Sequence, residues 1–230
     1  MSGEFKIKIS DKVIEFVRKE LGNLESEVNI YVQYTQISDR ENELLNTIRR
    51  IVENYSNGKV RFRIYSLGTE KLEYEPLYWI EKENIQYCGN PVGYEFGSFI
   101  STIKNVSVYN STRDYRRIKV SDRVYQTVLK IDKILDERNS KAFIDVLTTP
   151  SCIFCPMQVI ELNKVGIISR NIIVRCIDVT KFSNLVEKYS ITGVPSIVIN
   201  DNLFRTGVTP TRLILQKLLS ELYSSNVSLF

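Results

Sequence analysis

Thr148 to Pro156 reads TTPSCIFCP, with cysteines at 152 and 155 directly after the apolar run AFIDVL of Ala142–Leu147. A pair spaced this way is a metal clip, a structural staple or a reactive dithiol. A structural zinc site needs about four ligands, supplied by paired CxxC motifs or by CxxC with histidines. This chain has four cysteines and no histidine, and Cys88 and Cys176 stand alone in other apolar runs. A metal or a cluster shared between chains is poorly supplied. A staple is also weak, because bridging residues this close in sequence removes little entropy from the unfolded chain. Geometry favours the dithiol. A helix predicted to begin near Ser151 or Cys152 sets the Cys152 thiol beside unpaired N–H groups and the positive end of the helix dipole, which stabilises thiolate. Cys155 follows one turn later on the same side, where it can attack a mixed disulfide formed on Cys152.

Working outward from this motif, the chain is written twice. Ile7–Val13 (IKISDKV) returns as Ile118–Val124 (IKVSDRV). In each copy a Ser-Asp pair stands where a helix N-cap belongs, followed by apolar residues at helical spacing. Each predicted helix leads to an apolar strand, Val28–Tyr34 in the first copy and Ala142–Leu147 in the second. Further on, PLYWIEKENIQYCG from Pro76 matches PSIVINDNLFRTG from Pro195: proline, short strand, polar turn, short strand, glycine. A helix is predicted after each, near Tyr94–Ile103 and Thr209–Tyr223, the latter with Thr209-Pro210 as cap and first-turn proline. The expectation is an α/β protein of two like domains, 1–109 and 110–230, each a mixed sheet flanked by helices. The dithiol then falls at a strand-to-helix turn, at the carboxyl end of a strand, where open α/β sheets place their chemistry.

With CxxC in the first strand-to-helix turn and GVPSIV downstream, the second copy resembles a thioredoxin fold. Two such units in tandem, with TPSCxxCP in the second, resemble the archaeal and bacterial protein disulfide oxidoreductases, relatives of glutaredoxin. The resemblance spans the chain and is most specific at Thr149–Pro156 and Gly193–Ile197. It implies two tandem thioredoxin-like domains, Cys152 as attacking nucleophile, Cys155 as resolving thiol, and Pro195 as a cis-proline of a substrate groove shared with Val194, Ile153 and Phe154. It further implies protein disulfides or a peroxiredoxin as clients, a flavin-dependent, thioredoxin-reductase-like enzyme as electron donor, and no bound cofactor or metal.

The chain departs from that pattern twice. The first copy carries TQISDRE (Thr35–Glu41) where the dithiol turn belongs, so it reads as a redox-inactive copy that serves as packing partner or substrate surface. A helix is also expected to be missing there, because only LGTEKLEYEP separates its second strand from Pro76. The second departure is Ile153-Phe154 between the cysteines where the family has Pro-Tyr, which frees a backbone N–H near the sulfurs. Asp145, seven residues before Cys152, is a candidate proton acceptor for the resolving thiol. Cys176 reads as buried and inert, Cys88 as structural, Asp178 as a loop or capping residue, and Trp79 as core.

Composition sets the remaining bounds. Apolar residues at 43%, charged residues at 25% and a net charge of +4 describe an ordinary globular chain with no case for nucleic acid. The basic run Arg113–Lys119 reads as a solvated linker. MSGEFKIKIS lacks an apolar signal core and no run approaches the roughly 18 apolar residues of a membrane span, so a cytoplasmic location is expected. The predicted function is net reduction of protein disulfides through Cys152/Cys155. The alternative is a peptide-binding or scaffolding module that keeps two thioredoxin folds without catalysis.

Overall fold

The computed structural model describes residues 10–70 and 72–224. Ile7–Ile9, at the head of the first repeat, lie outside the described residues; from Ser10 onward the repeat is visible. Ser10 (φ −75°, ψ 149°) and Ser121 (φ −75°, ψ 151°) hold the same extended backbone before α1 (Asp11–Leu21) and α4 (Asp122–Glu137), and Ser121 Oγ accepts the Val124 N–H. The first copy continues through β1 (Val28–Tyr34), α2 (Asp39–Tyr55), β2 (Val60–Ser66), β3 (Leu77–Ile80), β4 (Lys82–Cys88) and α3 (Tyr94–Thr112). The second continues through β5 (Ala142–Thr148), α5 (Cys155–Ile168), β6 (Ile172–Asp178), α6 (Asn184–Lys188), β7 (Ser196–Ile199), β8 (Asn202–Thr206) and α7 (Thr211–Ser224). The first copy has no counterpart of α6 among its described residues, as its short connection predicts.

All eight strands join one sheet in the order β2-β1-β3-β4-β6-β5-β7-β8. The same local order occurs twice, placed head to tail, and the copies meet where β4 pairs parallel with β6 from Ile85↔Val174 to Cys88↔Ile177. Helix α3 packs on α5 across that junction. Gly166 lets α5 sit directly on β4, since a Cβ there would come 2.6 Å from the Asn84 carbonyl oxygen. A buried hydrogen-bonded cluster pins the contact: Asn163 of α5 donates to the Tyr87 hydroxyl and to Thr102 Oγ1, both at 3.0 Å. Such groups are costly to bury unpaired and specific once paired.

The outer edges are different. β2 exposes Arg61 and Arg63, and β8 exposes Arg205, so arginines guard both open edges against further strand pairing. Strand alternation sends Ile30, Val32, Ile144, Val146, Val174 and Ile199 to one large core beneath α1 to α5 and α7. The opposite face carries a smaller core of Cys88, Leu147, Ile177 and Val198 under Leu185 of α6 and Tyr74. No helix among the described residues covers that face in the first copy, which corrects the reading of Trp79: it is half-buried there and stacks on Tyr31 at 5.5 Å.

Candidate active site

β1, β4, β5 and β6 run in one direction, so the loops after their carboxyl ends share one side of the sheet. The dithiol turn stands among them. Cys152 and Cys155 form a disulfide with Cα atoms 5.5 Å apart. Cys152 is half-buried and Cys155 fully buried, so only the first sulfur can meet a partner. The helix begins later than its sequence predicts, at Cys155, with Phe154 as N-cap residue and Pro156 at its start. Proline is favoured there because its missing N–H would be unpaired anyway. The expected electrostatic effect survives in a more local form: the Cys155 N–H points at Cys152 Sγ, 3.1 Å away. A donor so placed favours negative charge on that sulfur once the disulfide opens.

The Val194–Pro195 peptide is cis, and the Val194 carbonyl oxygen lies 3.8 Å from Cys152 Sγ. Pro195 is buried and Val194 half-buried. Ile153 and Phe154 are among the most exposed large apolar side chains, at 60% and 59%. Five of the sequence-predicted residues therefore surround one accessible sulfur: Cys155, Pro195, Val194, Ile153 and Phe154.

Asp145 does not join them. Strand alternation puts it with Leu147 on the α6 side of the sheet, whereas α5 covers the side of Ile144 and Val146. Its carboxylate is gripped by Arg175, with Nε 2.6 Å from one oxygen and Nη2 2.8 Å from the other. Arg175 in turn stacks over Phe143 and Tyr74. A buried carboxylate so paired is a structural ion, and the proton-acceptor reading is corrected accordingly. Asp178 accepts the N–H and hydroxyl of Thr180, a capping turn.

Sequence reasoning missed Glu95. The described residues bury three carboxylates: Glu95, Asp132 and Asp145. Asp132 is held by Ser169, Arg170 and Asn171, and Asp145 by Arg175. Glu95 alone keeps an oxygen, Oε1, with no partner. Its Oε2 accepts from Ser98 at 2.8 Å and lies 3.5 Å from the Cys176 sulfur. Burial pushes its carboxyl up to about 7. Its neighbour Tyr94 donates its N–H to the Pro150 carbonyl, and Glu95, Thr148 and Pro150 line one small cavity, so the first copy places this acid directly behind the dithiol loop. In sequence it looks like an ordinary first-turn acid at a helix start; only its burial distinguishes it. Burial also drives the Cys88 and Cys176 thiols far up, which disfavours the reactive thiolate at both.

Residues 143–220 match the family profile of the thioredoxin domain. The match takes in 78 of the 230 residues. At 18% identity, the structure of a protein disulfide oxidoreductase from Aeropyrum pernix superposes with a TM-score of 0.77 over 95% of this chain and 96% of its own. The NTD_N/C domain of alkylhydroperoxide reductase AhpF from Enterococcus faecalis does so with 0.74 at 16% identity, over 92% of this chain and all (100%) of that one. The fold is thus two thioredoxin-like units in tandem. Among curated proteins, an NADH dehydrogenase of Bacillus subtilis is 24% identical over 88% of the chain, and an alkyl hydroperoxide reductase polypeptide of Pseudomonas putida 27% over 54%. The chain spans only 38% and 21% of those relatives' lengths.

No group of His, Cys, Asp and Glu among the described residues is arranged to hold a metal ion. No helix among them is long and apolar enough to cross a membrane.

Proposed function

We propose that the chain is a thiol–disulfide oxidoreductase that reduces protein disulfides through Cys152 and Cys155. One observation carries the reading: a half-exposed Cys152 sulfur faces the Cys155 N–H at 3.1 Å and is bonded to a fully buried Cys155 beside a cis-proline. In the reduced form Cys152 thiolate attacks one sulfur of the client disulfide. The client S–S bond breaks, a mixed disulfide forms, and the departing client sulfur takes a proton. Cys155 then loses its proton and attacks Cys152 Sγ, releasing the second client sulfur as a thiol. The client gains an electron pair and the Cys152–Cys155 disulfide returns. We assign the acceptor of that proton to Glu95, the one buried carboxyl with an unpartnered oxygen among the described residues, which lines a cavity with Thr148 and Pro150 of the segment leading into the dithiol.

Recharging the disulfide takes an external two-electron donor. The relatives named NADH dehydrogenase and alkyl hydroperoxide reductase support a reductase in that role, and a flavin-dependent donor and a peroxiredoxin client are the finer form of the proposal. The units are 1–109, redox-inactive, and 110–230, redox-active, with the last turn of α3 crossing the boundary. A cytoplasmic setting suits net reduction, because thiols are kept reduced there.

Dithiothreitol-driven insulin reduction tests the proposal. The wild-type chain accelerates it and a Cys152→Ser variant does not. Equal behaviour of the two, at the rate of buffer, would leave the scaffolding reading in its place.

A further inference from the structure

Large apolar side chains left exposed gather around the dithiol: Tyr94, Ile153, Phe154, Met157 and Val208 make up half of those among the described residues. Contiguous exposed apolar surface marks interaction sites. On one flank, Met157 and Val208 border a groove of about 320 Å³ between α5 and the loop before α7. On the other flank the surface passes from Pro150 onto the first copy. Gly93 lies so close that a Cβ there would come 2.2 Å from the Pro150 carbonyl oxygen, and Tyr94 N–H bonds to that same oxygen. Beyond Gly93 a second groove of about 380 Å³ opens between α1, α2 and α3, walled by Val13, Leu44, Ile48, Ile51, Val92 and Phe96. No charged side chain among the described residues lines it.

We infer that this groove of the redox-inactive copy holds the client: an extended, apolar segment of a protein client lies between α1, α2 and α3 while its disulfide meets Cys152. The inference rests on the oxidoreductase reading above and names the substrate class that it would take. The mixed disulfide dictates the geometry. Cys152 stands in the chain between the exposed Ile153–Phe154 and Pro150, which touches Gly93, so one path for the client backbone leads over Pro150 and Gly93 toward the groove. Pro150 lies within roughly 7 Å of Cys152 along the chain. An extended segment advances about 3.3 Å per residue, so a side chain some three to five positions from the client cysteine reaches the groove. A large apolar side chain gains by leaving water there, whereas an acidic one is desolvated against the apolar side chains of Leu44, Ile48 and Val92.

The test compares two synthetic peptides with the same disulfide. One carries leucine and phenylalanine three to five positions out, the other glutamate and serine. Each reduction rate is divided by the rate that the same protein sample shows on hydroxyethyl disulfide, which is too small to reach the groove. The wild-type chain is expected to prefer the apolar peptide by about tenfold or more. Leu44→Glu, at the half-buried rim of the groove, and Val92→Ser, in the loop, are expected to bring that preference close to one. Should Leu44→Glu not fold, judged by its melting transition, the loop variant still decides. No preference in the wild type, or a preference unchanged in the folded variants, overturns the inference while the chemistry stands. Failure on hydroxyethyl disulfide and both peptides instead removes the oxidoreductase reading beneath it.

Discussion

The two strand-to-helix turns of this chain show one backbone plan holding two chemistries. After β1, the N–H groups of Thr35 and Gln36 converge on one oxygen of Glu75, at 2.7 and 2.9 Å, and Glu75 precedes a cis-proline, Pro76. After β5, the Cys155 N–H points at Cys152 Sγ, and Val194 precedes a cis-proline, Pro195. In both turns backbone donors face an electron-rich group next to the cis-peptide. A helix N-terminus and its approach favour such a group whatever its identity. In the first copy the group is a carboxylate of the chain itself, which closes the turn. In the second it is a sulfur that can exchange partners. The fold supplies the electrostatic setting, and the side chain decides whether chemistry follows.

The largest effect expected from breaking this comparison is at sulfur. Cys152→Ser should bring disulfide reduction down to the rate of buffer, while Cys155→Ser should accumulate covalent client adducts that mass spectrometry detects, because the resolving attack is lost. Glu95 comes next. Glu95→Gln should slow turnover on the order of 100-fold near pH 8 and erase an inflection near pH 7 in its pH profile. The same variant carries a stability signature with a defined sign. Between about pH 4.5 and 7 the folded chain keeps the Glu95 proton that the unfolded chain releases, so stability falls as pH rises through that window. The cost above pH 7 is roughly 3 kcal/mol. Urea unfolding across pH should show Glu95→Gln losing that slope; a slope unchanged by the substitution would assign it elsewhere.

Asp145→Ala should cost about 3 to 5 kcal/mol, since it strands the mostly buried Arg175 guanidinium, while turnover per folded molecule holds. A large loss of turnover without loss of stability would return Asp145 to the mechanism. The smallest effect is in the closed turn. Glu75→Gln should destabilise the chain by about 1 to 3 kcal/mol, because two backbone donors lose a charged acceptor. An unchanged urea midpoint would show that Glu75 is dispensable for holding the first turn.

The two copies differ again on the far side of the sheet. In the second, α6 and Phe182 close over Leu147, Ile177 and Val198, and Tyr74 from the first copy reaches across to meet Phe182 edge-on at 5.0 Å. In the first, no described helix closes the same face, and Tyr31 and Trp79 stack on one another. A short connection in the sequence announces the missing helix, but not that Trp79 loses its cover as a result. Its position in a strand after Pro76 reads like that of Val198 in β7, which is fully buried.

What was legible in the sequence was whatever depends on neighbours along the chain. The repeat showed in its Ser-Asp caps and proline-led hairpins, because caps and turns are local devices. The dithiol showed in CxxC after an apolar strand, since cysteines three positions apart can bridge within one turn whatever surrounds them. Tertiary structure alone decided the rest, because burial and partnership come from residues remote in sequence. The Ser98 and Cys176 contacts of Glu95 span 3 and 81 positions, and only the second reveals that a first-copy acid lies behind the second-copy site. Asp145 meets Arg175 30 positions away, on the side of the sheet that α5 does not cover. The β4–β6 pairing that makes one sheet of two copies leaves no local trace, because a parallel ladder between residues 89 positions apart (Ile85 with Val174) is set by what packs above it: Gly166 on Asn84, and Asn163 on Tyr87.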